Sequence, residues 1–151
     1  MPLTCLQEIE NIVGKPVYIR RPSPEIYSVH YAEPKNQQEI ARFSLKQLPG
    51  CCGICVSFHA NVSTTIRKKG IGSLLNKIRQ QIAWNNGYTI LLCTDVEKNE
   101  PQQKILNKNG WQKIMTFNNR RTHNKVCLHS ITLKDLGIKI GHGNIDLSPA
   151  K

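Results

Sequence analysis

The residues best suited to chemistry are Arg67-Lys68-Lys69-Gly70-Ile71-Gly72-Ser73. They follow an apolar, β-type run over residues 53–62 and precede a helical pattern in which Leu74, Leu75, Ile78 and Ile82 share one face. The order strand, glycine turn, helix suits the holding of phosphate. The first-turn N–H groups of a helix have no internal partners, and the helix dipole places positive charge there. Gly70 and Gly72 carry no Cβ, so a pyrophosphate can come close to the backbone, and Arg67, Lys68 and Lys69 add positive charge beside it. The turn lacks the third glycine of a Rossmann fingerprint and the spacing of a P-loop.

Cysteine chemistry is the second possibility. The thiols lie at 5, 51, 52, 55, 93 and 127, several of them in apolar stretches, and read as reduced, buried side chains of a cytosolic chain. Cys52-Gly-Ile-Cys55 with His59 matches part of a metal-ligand pattern. No second Cys-x-x-Cys completes it, and strand alternation sends Cys52 and Cys55 to opposite faces. No metal site is read from the sequence.

The elements that must position the glycine turn are legible on either side of it. Residues 4–13 form a helix with Thr4 as cap, Gln7 at the capping-box position and Gly14 as its end. Strands are expected at 15–20, 26–31 and 39–45, with a turn at Glu33-Pro34-Lys35-Asn36. Leu48-Pro49-Gly50 makes an antiparallel hairpin of the strands around it. A helix over 73–85 ends at Asn86-Gly87, and the nearly continuous apolar run 88–94 predicts a strand buried on both faces. Strand, helix, strand makes the two strands parallel. Asn99-Glu100-Pro101 opens a helix that stops at Asn109-Gly110, and strands at 111–117 and 125–133 form a long hairpin. Residues 1–133 read as one domain, with its core in 51–133, and residues 134–151 as a Gly- and Pro-rich tail, partly ordered at best.

The chain has 151 residues, enough for one domain with a real core, and no apolar run long enough to span a membrane. No basic segment leads into an apolar one at Met1-Pro2-Leu3-Thr4, so a cytoplasmic protein is expected. The 21 Lys+Arg against 10 Asp+Glu give a net charge of +11. That charge suits acidic metabolites such as coenzyme A, or an acidic macromolecule such as nucleic acid.

The hexapeptide at 67–72 fits the Arg/Gln-x-x-Gly-x-Gly/Ala signature of the GCN5-related N-acetyltransferase (GNAT) superfamily at every defined position. Asn99, followed after a helix by Gly110-Trp111, resembles a second signature of the same superfamily. The resemblance implies an α/β fold of the α+β kind: a mixed, mostly antiparallel twisted sheet, flanked by helices, whose central parallel pair is splayed to hold acetyl-CoA. It implies that backbone groups near Ala60 and Val62 pair with the pantetheine arm, and that the Ala60 N–H polarises the thioester carbonyl. Backbone N–H groups from Lys68 to Ser73, Gly70, Ile71 and Gly72 among them, would hold the pyrophosphate. Asn99 would touch the pantetheine or cap its helix.

The chain also departs from that pattern. Leu106 stands where many members place a tyrosine acid, and Val56 where some place a glutamate base. Substitutes are His59, whose unperturbed pKa suits a base and whose face a strand bulge would decide, and Asp95, which with Cys93 and Thr94 could relay a proton through water. Arg120 and Arg121, in the loop 118–124, could clamp phosphate or carboxylate groups of an acceptor. Only one helix is legible before the central strand, which suggests an open acceptor cleft and a bulky amine. The expected function is acetyl-CoA-dependent N-acyl transfer to an amine, on a protein or nucleic acid among other acceptors. The other reading is a non-catalytic module that binds nucleic acid through its basic surface.

Overall fold

A computed structural model of the chain describes residues 4–32, 38–63 and 70–139, apart from the side chain of His59. The expected turn at 33–36 and the basic residues Arg67, Lys68 and Lys69 lie outside the described residues.

Helix α1, Cys5–Val13, is fixed by purely local chemistry. The Thr4 side chain accepts from the Gln7 N–H at 3.1 Å, the Gln7 side chain returns a bond to the Thr4 N–H at 2.8 Å, and Gly14 ends the helix in the left-handed region at φ 76°. Strands β1 (Val17–Ser23), β2 (Ile26–Tyr31), β3 (Glu39–Leu48) and β4 (Cys51–Val62) follow as an antiparallel run. Gly50, at φ 82°, supplies the tight turn between β3 and β4. Helix α2 (Ile71–Asn85) then crosses over to β5 (Ile90–Val96), which pairs parallel with β4. Helix α3 (Glu100–Lys108) leads to the hairpin of β6 (Gln112–Asn118) and β7 (Lys125–Thr132).

These strands form one sheet in the order β1-β2-β3-β4-β5-β7-β6, antiparallel except for β4 and β5. The core lies between the sheet and α2, against which α1 and α3 both pack. Tyr27, Phe43, Ile9, Ile78, Leu91 and Leu106 are all fully enclosed. Among the described residues no helix is long and apolar enough to cross a membrane.

Two expectations need correction. The run at 88–94 predicts a strand buried on both faces, but β5 buries Leu91, Cys93 and Asp95 while Ile90 and Leu92 are half-covered and Thr94 is exposed. Two of the six cysteines, Cys51 and Cys52, are exposed rather than buried, because they open the β4 end of the hairpin. The first part of the tail is docked. Gln81 Oε1 accepts from the Leu136 and Ile138 N–H groups at 3.1 and 3.4 Å, and its amide donates to Asp135 at 3.1 Å. Residues 140–151 lie outside the described residues.

Candidate functional site

The parallel pair is short. Only Ile54–Ser57 of β4 face Ile90–Cys93 of β5, after which β4 runs on beside β3 to Val62 and β5 beside β7 to Val96 with no further pairing between the two. The strands therefore part beyond Ser57 and Cys93. On its other side β4 carries a bulge. Arg42 faces Asn61 and Ser44 faces Phe58, so His59 and Ala60 together oppose Phe43. The bulge falls at the position where the sequence places the candidate base, although the side chain of His59 lies outside the described residues.

A cavity of about 600 Å³ occupies the space bounded by the end of β4, the first turns of α2 and the face of α3. Ala60, Val62, Gly70, Gly72, Ser73 and Asn99 all line it, so the structure brings these predicted residues together. Its volume is that of a small-molecule pocket. A second hollow of about 630 Å³ lies between Lys77, Lys108, Lys134 and the β6–β7 strands, away from the glycine turn. We take the first as the site, because it alone joins the parted strands to a helix N-terminus.

The glycines divide the work differently from the sequence expectation. Gly70 is the α2 N-cap, in the left-handed region at φ 86°, and no side chain among the described residues caps the first-turn N–H groups. Gly72 makes room for a neighbouring helix: a Cβ there would stand 2.8 Å from Ile105 Cδ1. Ile71 faces inward and is part of the core. Asn99 caps α3, accepting from the Gln102 N–H at 3.3 Å, and also lines the cavity, so capping and ligand contact do not compete for its position.

The remaining candidates lie elsewhere. Asp95 is buried, bonds the ring of His129 at 2.8 Å and does not line the cavity. Arg120 and Arg121 are exposed in the β6–β7 turn, with no ion pair among the described residues. Leu106, at the expected tyrosine position, is fully buried, and Val56 is half-buried; neither has a proton to give or take.

Sequence reasoning missed Arg79. This residue of α2 lines the cavity yet is only 3% exposed. Its guanidinium donates to Ser57 Oγ at 3.1 Å and to Asn76 Oδ1 at 2.6 Å, and lies 5.1 Å from the centre of the Trp111 ring. Trp111 Nε1 donates to the same Asn76 oxygen at 3.2 Å. The Nε of Arg79 has no partner, and no carboxylate pairs with the group among the described residues. Burial pulls its pKa down, and the Cys93 thiol nearby, when ionised, opposes that. Because Ser57 is the last residue of β4 that pairs with β5, this cation sits where the two strands part. Its one early signal was polarity, an arginine amid the apolar positions of an amphipathic helix.

No protein-family model matches the chain, and no curated protein matches it. Solved structures do. A GNAT-family acetyltransferase from Bacillus anthracis superposes with a TM-score of 0.61 at 12% identity, over 72% of this chain and 66% of that one, just under two thirds of its length. An IAA acetyltransferase from Bacillus cereus gives 0.62 at 13% identity, over 84% of each chain. A Bacillus subtilis acetyltransferase solved in complex with CoA gives 0.60 at 13% identity, over 72% of this chain and 76% of that one. The parted parallel pair, the bulged β4 and the glycine turn at the head of α2 thus stand within a common architecture, and the chain has the fold of the GCN5-related N-acetyltransferase superfamily.

Proposed function

We propose that this chain is a cytoplasmic N-acyltransferase that takes acetyl-CoA as donor and an amine, on a protein or nucleic acid among other acceptors, as recipient. The observation that carries the reading is the cavity at the fork of β4 and β5, rimmed by Gly70, Ser73 and Asn99 and floored by a buried cation. The residues present fit the donor. The first-turn N–H groups of α2, which carry no side-chain cap, suit a pyrophosphate, the stretch of β4 beyond its pairing with β5 suits an amide-bearing arm, and no carboxylate pairs with Arg79 among the described residues.

When bound, acetyl-CoA supplies an activated thioester carbonyl. The chain's own residues do the rest. Backbone N–H groups from Lys68 to Ser73, with the side chains of Arg67, Lys68 and Lys69, hold the phosphates. The backbone at Ala60 and Val62 aligns the arm, and the Ala60 N–H donates to the carbonyl oxygen. No tyrosine among the described residues lines the cavity, so Arg79 would offer the sulfur of a bound donor a positive field rather than a proton. The amine proton goes to His59 or to water. Arg120 and Arg121 meet acidic groups of the acceptor at the open end.

Calorimetric titration with acetyl-CoA tests the reading. Wild type binds at one site, and reversal of the three turn charges (R67E/K68E/K69E) weakens binding by about tenfold or more, as the loss of a single good ionic contact would. These positions are chosen over the glycines because enlarging Gly72 also disturbs α3. Absence of binding by wild type, or equal binding by the variant, overturns the assignment.

A further inference from the structure

Four side chains with metal-binding chemistry meet on one face of the sheet, outside the acyl-donor cavity. Cys93 and Asp95 alternate along β5, and His129 and Cys127 along β7. The antiparallel register sets Cys93 opposite His129 and Asp95 opposite Cys127, so all four point to the same side, the side on which Arg79 of α2 reaches Ser57. All are buried, at 3%, 9%, 0% and 4% exposure for Cys93, Asp95, Cys127 and His129.

The donor atoms of Asp95, Cys127 and His129 lie within 4.8 Å of one another. His129 Nε2 and Asp95 Oδ1 are 2.8 Å apart, while Asp95 Oδ2 is buried with no hydrogen-bond partner. A carboxylate oxygen left so costs free energy unless something answers it. Among the described residues the Cys127 thiol has one polar contact, a weak one with Thr116 Oγ1 at 3.8 Å. Two residues of one strand and two of its neighbour, one side chain each, make a preformed cup whose base is a rigid ladder.

We propose that Asp95, Cys127 and His129 form a buried zinc(II) site that fastens β5 to β7. The donor set selects the metal: one thiolate, one imidazole and one carboxylate suit a borderline-soft, tetrahedral ion. Zinc bonds of about 2.0–2.2 Å to nitrogen and oxygen place those two donors about 3.4 Å apart, so the present hydrogen bond has only to open slightly. His129 binds through Nε2 and keeps its proton on Nδ1. The Cys127 thiol becomes a thiolate, and its proton passes to solvent, one per ion bound. Cys93, opposite His129, is the next donor on that face. The site shares no residue with the acyl-donor cavity, so it stands whether or not the chain transfers acyl groups.

The test uses the full chain carrying C51S/C52S, which removes the two exposed thiols that bind metal adventitiously. Cobalt(II), as a spectroscopic stand-in for zinc, is titrated into it in weakly buffered solution. The expected result is one equivalent bound, a thiolate-to-cobalt charge-transfer band, release of about one proton per ion, and displacement by zinc. Zinc raises the melting temperature and a chelator lowers it. C127S abolishes the band, and D95N weakens binding. If C127S fails to fold, X-ray absorption on the zinc-loaded C51S/C52S protein decides: sulfur together with nitrogen or oxygen supports the site. No binding, a band that survives C127S, or a shell without sulfur overturns it.

Discussion

Arg79 takes a positive charge into the protein where no described carboxylate meets it. A buried ion without its counter-charge is a burden on the fold, and its replacement by an apolar side chain of similar length is often neutral or stabilising. Arg79→Met leaves Asn76 Oδ1 bonded to Trp111, so the network is thinned rather than orphaned. We expect the variant to keep its melting temperature or gain a few degrees, while the thiol of bound CoA, followed by the ultraviolet absorbance of its thiolate, titrates at higher pH than in wild type. Arg79→Lys should fall between. An unchanged thiol titration in a variant that still binds CoA would remove Arg79 from the mechanism and leave the donor site intact. The buried thiols allow a pH prediction of the same kind. Burial pushes Cys5 and Cys55 up from 9.0 to about 11. Between those values the folded chain keeps protons that the unfolded chain has released. The stabilisation is therefore complete below pH 9.0 and is lost progressively as the pH rises toward about 11. Urea midpoints measured across that range should fall, and Cys5→Ala/Cys55→Ala should flatten the decline.

At the level of elements, the junction of α2 and α3 decides the shape of the cavity. Gly72 and Ile105 meet there, and a Cβ at 72 would collide with the tip of a flexible side chain rather than with backbone. Gly72→Ala should cost no more than about 1 kcal/mol, because the Ile105 tip can turn aside and alanine favours the helix, and Ile105→Val, which removes the terminal methyl, should recover that cost. Chemical denaturation of the two single variants and the double variant measures that coupling; strictly additive effects would show that the contact does not matter. Asn99 allows a similar separation. Asn99→Ala removes the α3 cap at a cost of about 1 kcal/mol, whereas Asn99→Ser keeps it. Acetyl-CoA affinity lowered in both variants would mark a direct contact with the ligand; affinity lowered only with the alanine would mark the cap alone. Elements such as these were legible in the sequence because their signals are local. The Thr4–Gln7 box, the Asn99-Glu100-Pro101 start and the glycines at 14, 50 and 110 each act within a few residues. The parallel pairing of β4 and β5 also followed from the order strand, helix, strand. What stayed hidden depends on register between distant segments. Arg79 meets Ser57 across 22 positions, His129 meets Asp95 across 34, and Trp111 meets Asn76 across 35, and no periodicity in one stretch encodes a partner in another.

For the molecule as a whole, the two ends of the described chain close on α2. Gln81, 4% exposed, is the clasp: its oxygen accepts two tail N–H groups and its amide reaches Asp135 and Asn85. The Cys5 N–H donates to the Lys139 carbonyl at 3.3 Å, so the tail also lies against the start of α1, and Ile138 packs on the core. Composition alone does not encode this contact, since a segment with three glycines reads as loose unless the residue that receives it is known. Gln81→Ala would leave the Leu136 and Ile138 N–H groups without their acceptor, at about 1–3 kcal/mol if they stay buried. Truncation after Leu133 removes the same bonds from the other side. If the clasp is the link between them, the two changes are not additive: Gln81→Ala should cost clearly less in the truncated chain than in the full one. Equal costs in both backgrounds, read from denaturant midpoints at constant slope, would mean that Gln81 stabilises α2 by itself and that the tail docks through Ile138 alone.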